Sequence, residues 1–154
     1  MSTASFQVDT NQINDANNLK FGIVVSSWNN NITDDLLKGC LEVLYFNDVP
    51  ESNIQIMNVP GSFELVYGCK IMQKKEVDVV IAIGCVIKGE TKHFDFICNA
   101  TSNGIKDLNV MGSCPVIFCV LTDNTLEQSI ARSGGKFGNK GGEAAVAAIK
   151  MGLI

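Results

Sequence analysis

Four short apolar runs, each followed by a segment of helical periodicity, limit this chain to a narrow set of architectures. Phe21 to Ser26 (FGIVVS) and Asp78 to Ile87 (DVVIAIGCVI) are apolar without alternation, the pattern of strands covered on both faces. Ile54 to Val59 and Pro115 to Leu121 (PVIFCVL) read as two further strands, and the run from Asp78 reads as a central one. Between them, Asp34 to Phe46 carries Leu36, Leu37, Cys40, Leu41, Leu44 and Tyr45 at helical spacing, with Asp34 and Asp35 expected in its first turn. Ser62 is a candidate cap for a helix reaching about Lys75. His93 to Asn109 places Phe94, Ile97, Cys98, Thr101, Ile105 and Leu108 on one face. Thr125 to Arg132 reads as a short helix, Ser133 to Gly142 as a glycine-rich loop, and Glu143 to Met151 as a final helix.

Strand and helix alternating four times predicts a three-layer α/β/α sandwich around a four-stranded parallel sheet. A chain of 154 residues suits one such domain, here residues 21–154, preceded by a loose arm over residues 1–20. Ligands in such folds bind at the carboxyl ends of the strands, in the loops that lead into the helices. The net charge of -4 and the lack of a basic stripe give no electrostatic case for nucleic acid or an anionic membrane surface. Any anionic ligand therefore needs a local site. Cys40, Cys69, Cys85, Cys98, Cys114 and Cys119 form no C-x-x-C pair, and a single histidine gives poor support for a metal centre. Thiols set among apolar residues, a polar N-terminus and no run of membrane-spanning length predict a reduced, cytoplasmic protein.

Four loops at the expected strand mouths carry unusual chemistry. Lys88 to His93 (KGETKH) puts a glycine and free N–H groups before a helix, where with the Thr91 hydroxyl they can cradle a phosphate; His93 beside them is a proton-transfer candidate. As a bland alternative, His93 is a capping or surface residue. Arg132 to Gly142 sets Arg132, Lys136 and Lys140 among glycines, and Arg132 can clamp a phosphate with two prongs; the alternative is a solvated connector, and the Walker spacing is absent. In Val59 to Glu64 (VPGSFE), Phe63 offers a flat apolar face and Glu64 an acceptor for hydroxyls, against a plain cap with a core aromatic. Trp28 can stack on a flat heterocycle while Asn29 reads its polar edge, against a packed loop.

These segments resemble the lumazine synthase family, over about Phe21 to Met151. The most specific pieces are VPGSFEL from Val59, IGCVIKGETKHFDFIC from Ile83, PVIFCVLT from Pro115 and EQSIARSGGKFGNKG from Glu127. The resemblance implies a flavodoxin-like fold and a cofactor-free, metal-free condensation of 5-amino-6-(D-ribitylamino)uracil with 3,4-dihydroxy-2-butanone 4-phosphate. It implies that His93 transfers protons and that Arg132 binds phosphate, helped by Glu90 and Thr91 through their backbone. Trp28, Asn29, Ser62, Phe63 and Glu64 would line the pyrimidine and ribityl pocket, closed by Cys85, Val86 and Ile87. Phe118 would reach in from a neighbouring subunit, and Lys140 would lie near the substrates. Glu90 puts a carboxylate in the phosphate loop, so its side chain is expected to point outward. Cys85 stands where threonine is common, a change of little consequence if the contact is through the backbone. The resemblance further implies active sites between subunits of a pentamer. The short form of the segment Gly134 to Gly142 points to twelve pentamers closing into a sixty-subunit shell, and a riboflavin synthase is a candidate partner. The arm before Phe21 would add an edge strand to the neighbour's sheet. Rival readings are a flavin- or mononucleotide-binding module without catalysis, opposed by the loop SSWNNNIT, which is not hydroxyl-rich in the usual phosphate-loop way; a cage whose catalysis has decayed; and a thiol redox protein.

Overall fold

The computed structural model describes residues 12–154. Its centre is a four-stranded, all-parallel sheet formed by β1 (Phe21–Ser26), β2 (Ile54–Val59), β3 (Val79–Ile87) and β4 (Val116–Asp123), in the order β2-β1-β3-β4. The two inner strands are the most apolar. Every residue of β1 is buried, as are the first seven of β3, which is what coverage on both faces requires.

Side chains of the sheet alternate between two cores. Phe21, Ile23, Val25, Ile81, Ile83 and Leu121 pack against α1 (Asn30–Phe46) and α5 (Lys140–Gly152). Val24, Val80, Ala82, Val116 and Val120 pack towards α2 (Leu65–Met72) and α3 (His93–Met111), which supply Leu65, Cys69, Met72 and Ile105. The result is the flavodoxin-like three-layer sandwich expected from the alternation of runs. The short helix α4 (Leu126–Arg132) follows β4, with Thr125 as its cap: its side chain accepts a hydrogen bond from the Gln128 N–H.

Three local expectations are corrected. Helix α1 begins at Asn30, four residues early, so Asp34 and Asp35 lie beyond its first turn. Asn29 turns into it through the left-handed region (φ 58), which asparagine tolerates, and Ile32 and Thr33 join its buried face. Helix α2 begins at Leu65 and Ser62 does not cap it, because residues 62–64 form a turn that carries Ser62 into the space beneath β3. The glycine-rich stretch is not a plain loop. β5 (Ser133–Gly135) and β6 (Gly138–Asn139) pair as a small antiparallel hairpin, and α5 already starts at Lys140.

Glycines explain that early start. A Cβ on Gly141 would run into the Leu36 carbonyl, and one on Gly39 would run into the Asn139 side chain, so α1 and α5 meet backbone to backbone. Asn139 fastens the crossing: its amide donates to the carbonyls of Asp35 (2.8 Å) and Ser133 (3.2 Å), and its Oδ1 accepts from the Gly141 N–H (2.8 Å).

The expected arm and its edge strand lie outside the described residues as far as position 11. From Gln12 to Lys20 the chain is held on the domain. The Ile13 N–H donates to Asn47 Oδ1 at 2.7 Å, the Lys20 N–H donates to Asp78 Oδ2 at 2.7 Å, and Ala16 and Leu19 are buried. No helix among the described residues is long and apolar enough to cross a membrane.

Candidate active site

The carboxyl ends of β1, β2 and β3 open into a cavity of about 620 Å³, well within the size range of small-molecule pockets. Its lining joins segments that are far apart in sequence: Trp28 and Asn29 after β1, Gly61 to Glu64 after β2, Cys85 to Ile87 at the end of β3, and His93 and Ile97 on α3. The floor is set by backbone register. Cys85 to Ile87 run beside Leu121 to Asp123 of β4, and Asn29 Nδ2 donates to the Cys85 carbonyl at 3.0 Å, tying the first loop to the third strand.

Trp28 is anchored through its backbone, whose N–H donates to the Pro60 carbonyl at 3.1 Å, while the residue as a whole stays 72% exposed. Gly61 lets the ring come close, since a Cβ there would stand 3.2 Å from Trp28 Cδ1 and 3.0 Å from Glu64 Oε2. Phe63 is 55% exposed on the same rim. Two aromatic faces left largely bare beside a mainly apolar cavity make a slot for a flat ring. Ser62 is buried, its carbonyl accepting from Thr101 Oγ1 at 3.1 Å, yet its own Oγ has no partner among the described residues. Most buried hydroxyls find a hydrogen-bond partner, so this one stands out on the cavity wall.

His93 occupies the first turn of α3, as the sequence spacing predicts, and lines the cavity. The loop before it is exposed. Thr91 Oγ1 accepts the His93 N–H at 3.3 Å, which orders the helix start and leaves the Thr91 O–H as a donor. Glu90 is exposed and does not line the cavity.

Besides Glu90 and Thr91, three further expected residues, Arg132, Phe118 and Lys140, do not line this cavity. Arg132, at the end of α4, donates from Nη1 to the Gln128 carbonyl at 2.9 Å, and its guanidinium lies 5.2 Å from the Phe137 ring. Phe118 and Lys140 line a separate recess of about 170 Å³ between β4 and α5. Lys140 is only 5% exposed there and pairs with Glu143 at 2.6 Å. Gly61 and Ile97 line the cavity without having been singled out as site residues. Helical period offered a signal for Ile97, one turn beyond His93; for Gly61 the signal was the Pro-Gly break after β2.

Cysteine chemistry is muted. All six thiols are free, and burial pushes Cys69 and Cys119 up to about 12. Cys85 is also raised, first by burial, then opposed by a hydrogen bond with Ser129. Among the described residues no cluster of histidine, cysteine and carboxylate side chains could hold a metal ion.

The sequence that builds this cavity is similar to those of known proteins. A family model described as 6,7-dimethyl-8-ribityllumazine synthase matches residues 18–154. Proteins of that name from Christiangramia forsetii and Flavobacterium johnsoniae are 59% and 60% identical to the chain. Each alignment covers 96% of the chain, with 89% and 78% of the respective relative. A further one from Phocaeicola vulgatus is 51% identical over 93% of the chain and 86% of its own length.

Proposed function

The chain belongs to the 6,7-dimethyl-8-ribityllumazine synthase family, and from that membership we propose how its cavity carries out the family's reaction. The protein is a transferase of riboflavin biosynthesis. It condenses 5-amino-6-(D-ribitylamino)uracil with 3,4-dihydroxy-2-butanone 4-phosphate and releases phosphate and water. The observation that carries the assignment of roles is the one cavity shared by Trp28, Asn29, Ser62 to Glu64, Cys85 to Ile87 and His93.

The pyrimidine ring stacks on Trp28 and takes its polar contacts from Asn29 and from the backbone edge of Cys85 and Val86. The ribityl hydroxyls meet Glu64 and the unpartnered Ser62 Oγ. The exposed ring of Phe63 and the side chain of Ile87 enclose them. The phosphate lies on the backbone N–H groups of Glu90 and Thr91 at the start of α3, where the helix dipole favours an anion. His93, one turn away, moves the protons: it assists loss of water as the amine and ketone form an imine, then departure of phosphate, then ring closure. No step needs a metal or an organic cofactor. Holding two reactants in register supplies most of the acceleration, and proton transfer contributes about 10²–10⁴.

Arg132, Phe118 and Lys140 complete the site from a neighbouring copy. Their absence from the lining of their own chain's cavity, and the bare rims of Trp28 and Phe63, support an active site at a subunit boundary, within a pentamer. The short hairpin between α4 and α5 supports assembly of pentamers into a shell. Sedimentation checks this directly, at five or sixty times the 16.6 kDa chain mass.

The roles are tested by mixing the protein with both substrates and following lumazine fluorescence. Wild type is expected to form product. His93→Ala is expected to lower turnover by about a hundredfold with the circular dichroism spectrum unchanged, since the residue is exposed. Wild-type turnover in that variant would refute its role.

A further inference from the structure

A largely buried line of polar contacts runs across the mouths of β3 and β4, from the cavity wall to the guanidinium of Arg132: two hydrogen bonds and an ion pair. Cys85 Sγ lies 3.4 Å from Ser129 Oγ, and Ser129 Oγ donates to Asp123 Oδ2 at 2.9 Å. Asp123 Oδ1 faces Arg132 Nε at 3.8 Å, the two side chains being 10% and 19% exposed. Ser129 is fully buried.

We propose that Asp123, oriented by Ser129, is a positioning residue that fixes the Arg132 guanidinium for the phosphate of the butanone substrate. An arginine on a flexible stem meets an anion well only when its planar fork is held before the anion arrives. Here each part of the fork except one has an anchor. The Nε edge is drawn by Asp123, Nη1 is bound to the Gln128 carbonyl, and Phe137 covers a face. Nη2 is the terminus without a hydrogen-bond partner among the described residues, and it is left for a phosphate oxygen. Ser129 decides the rotamer of the carboxylate, because it engages Oδ2 and turns Oδ1 towards Arg132. Removing the charge of Asp123 releases the fork without altering its shape. The inference rests on the reading of Arg132 as the phosphate arginine and holds whichever subunit's cavity that arginine serves.

The experiment is steady-state kinetics of the assembled enzyme, with each substrate varied in turn, for Asp123→Asn, Arg132→Ala and the double variant. Asp123→Asn is expected to raise the KM for the butanone phosphate about threefold to tenfold, the size of one well-placed ion pair. Turnover and the KM for the pyrimidine stay within about twofold in the same variant. On the Arg132→Ala background the same change has no further effect. Ser129→Ala shifts the same constant in the same direction, and it serves as the variant of record if Asp123→Asn does not fold. A butanone phosphate KM that is unchanged or lowered, or an effect that persists without Arg132, overturns the proposal alone. An Arg132→Ala variant with wild-type KM for that substrate overturns the phosphate reading of Arg132 and this proposal with it.

Discussion

Ser62 shows how one side chain can serve the ligand at the expense of the fold. Its Oγ is buried with no partner among the described residues, and such a hydroxyl costs about 1–3 kcal/mol relative to one that is satisfied. Ser62→Ala removes that cost along with the group. The variant is therefore expected to unfold at an equal or slightly higher urea concentration than wild type while the KM for the pyrimidine rises several-fold. A loss of stability with unchanged KM would assign the hydroxyl to the fold. His93 shows the opposite balance: it is exposed, so its substitution reads chemistry with little effect on folding. Its place at the helix start follows from the local sequence KGETKH, which is why it could be named before any contact was known.

At the scale of elements, the α1–α5 crossing is the tightest joint described in the domain. Gly39 and Gly141 are its contact points and Asn139 is its clasp. Gly141→Ala forces a methyl group against the Leu36 carbonyl, which cannot rotate away. The expected cost is about 3 kcal/mol, at the upper end for overpacking, measured as a lower urea midpoint with an unchanged slope. A neutral result would mean that α5 shifts without penalty. The same crossing explains why the glycine-rich stretch misled the sequence reading. Its glycines serve two ends, the strands of the small hairpin at Gly134 and Gly138, both with positive φ, and close helix packing at Gly141 and Gly142; spacing along the chain does not separate them.

On the scale of the whole molecule, the two cores keep their thiols protonated. Cys69 and Cys119 are pushed up to about 12 from an ordinary value of 9.0, by burial first and then by a neighbouring acidic group. Between pH 9 and pH 12 the unfolded chain therefore loses these protons while the folded chain keeps them. Stability is complete below pH 9 and falls as pH rises, by about 1.4 kcal/mol per pH unit for each thiol. Urea midpoints at pH 8.5 and pH 10 check the slope, and replacing both cysteines by alanine is expected to reduce it while leaving the share of Cys40, whose thiol burial also raises. A pH-independent midpoint in the wild type would mean that the thiols are solvated in the folded state.

The sequence by itself determined the parallel sheet, its buried inner strands, and the loops that gather at its carboxyl edge. Apolar period and strand-to-helix alternation are local properties, and they leave one consistent way to bury the runs. The cavity residues from Trp28 to His93 were legible for the same reason, being the unusual residues at strand ends. Tertiary structure decided what no spacing encodes: the orphaned Ser62 Oγ, the backbone contact of α1 with α5, and the line from Cys85 through Ser129 and Asp123 to Arg132. The last two join segments 6 to more than 100 positions apart at distances of a few ångströms. Such joints follow from how the layers come to rest on one another, and only the packed fold fixes that.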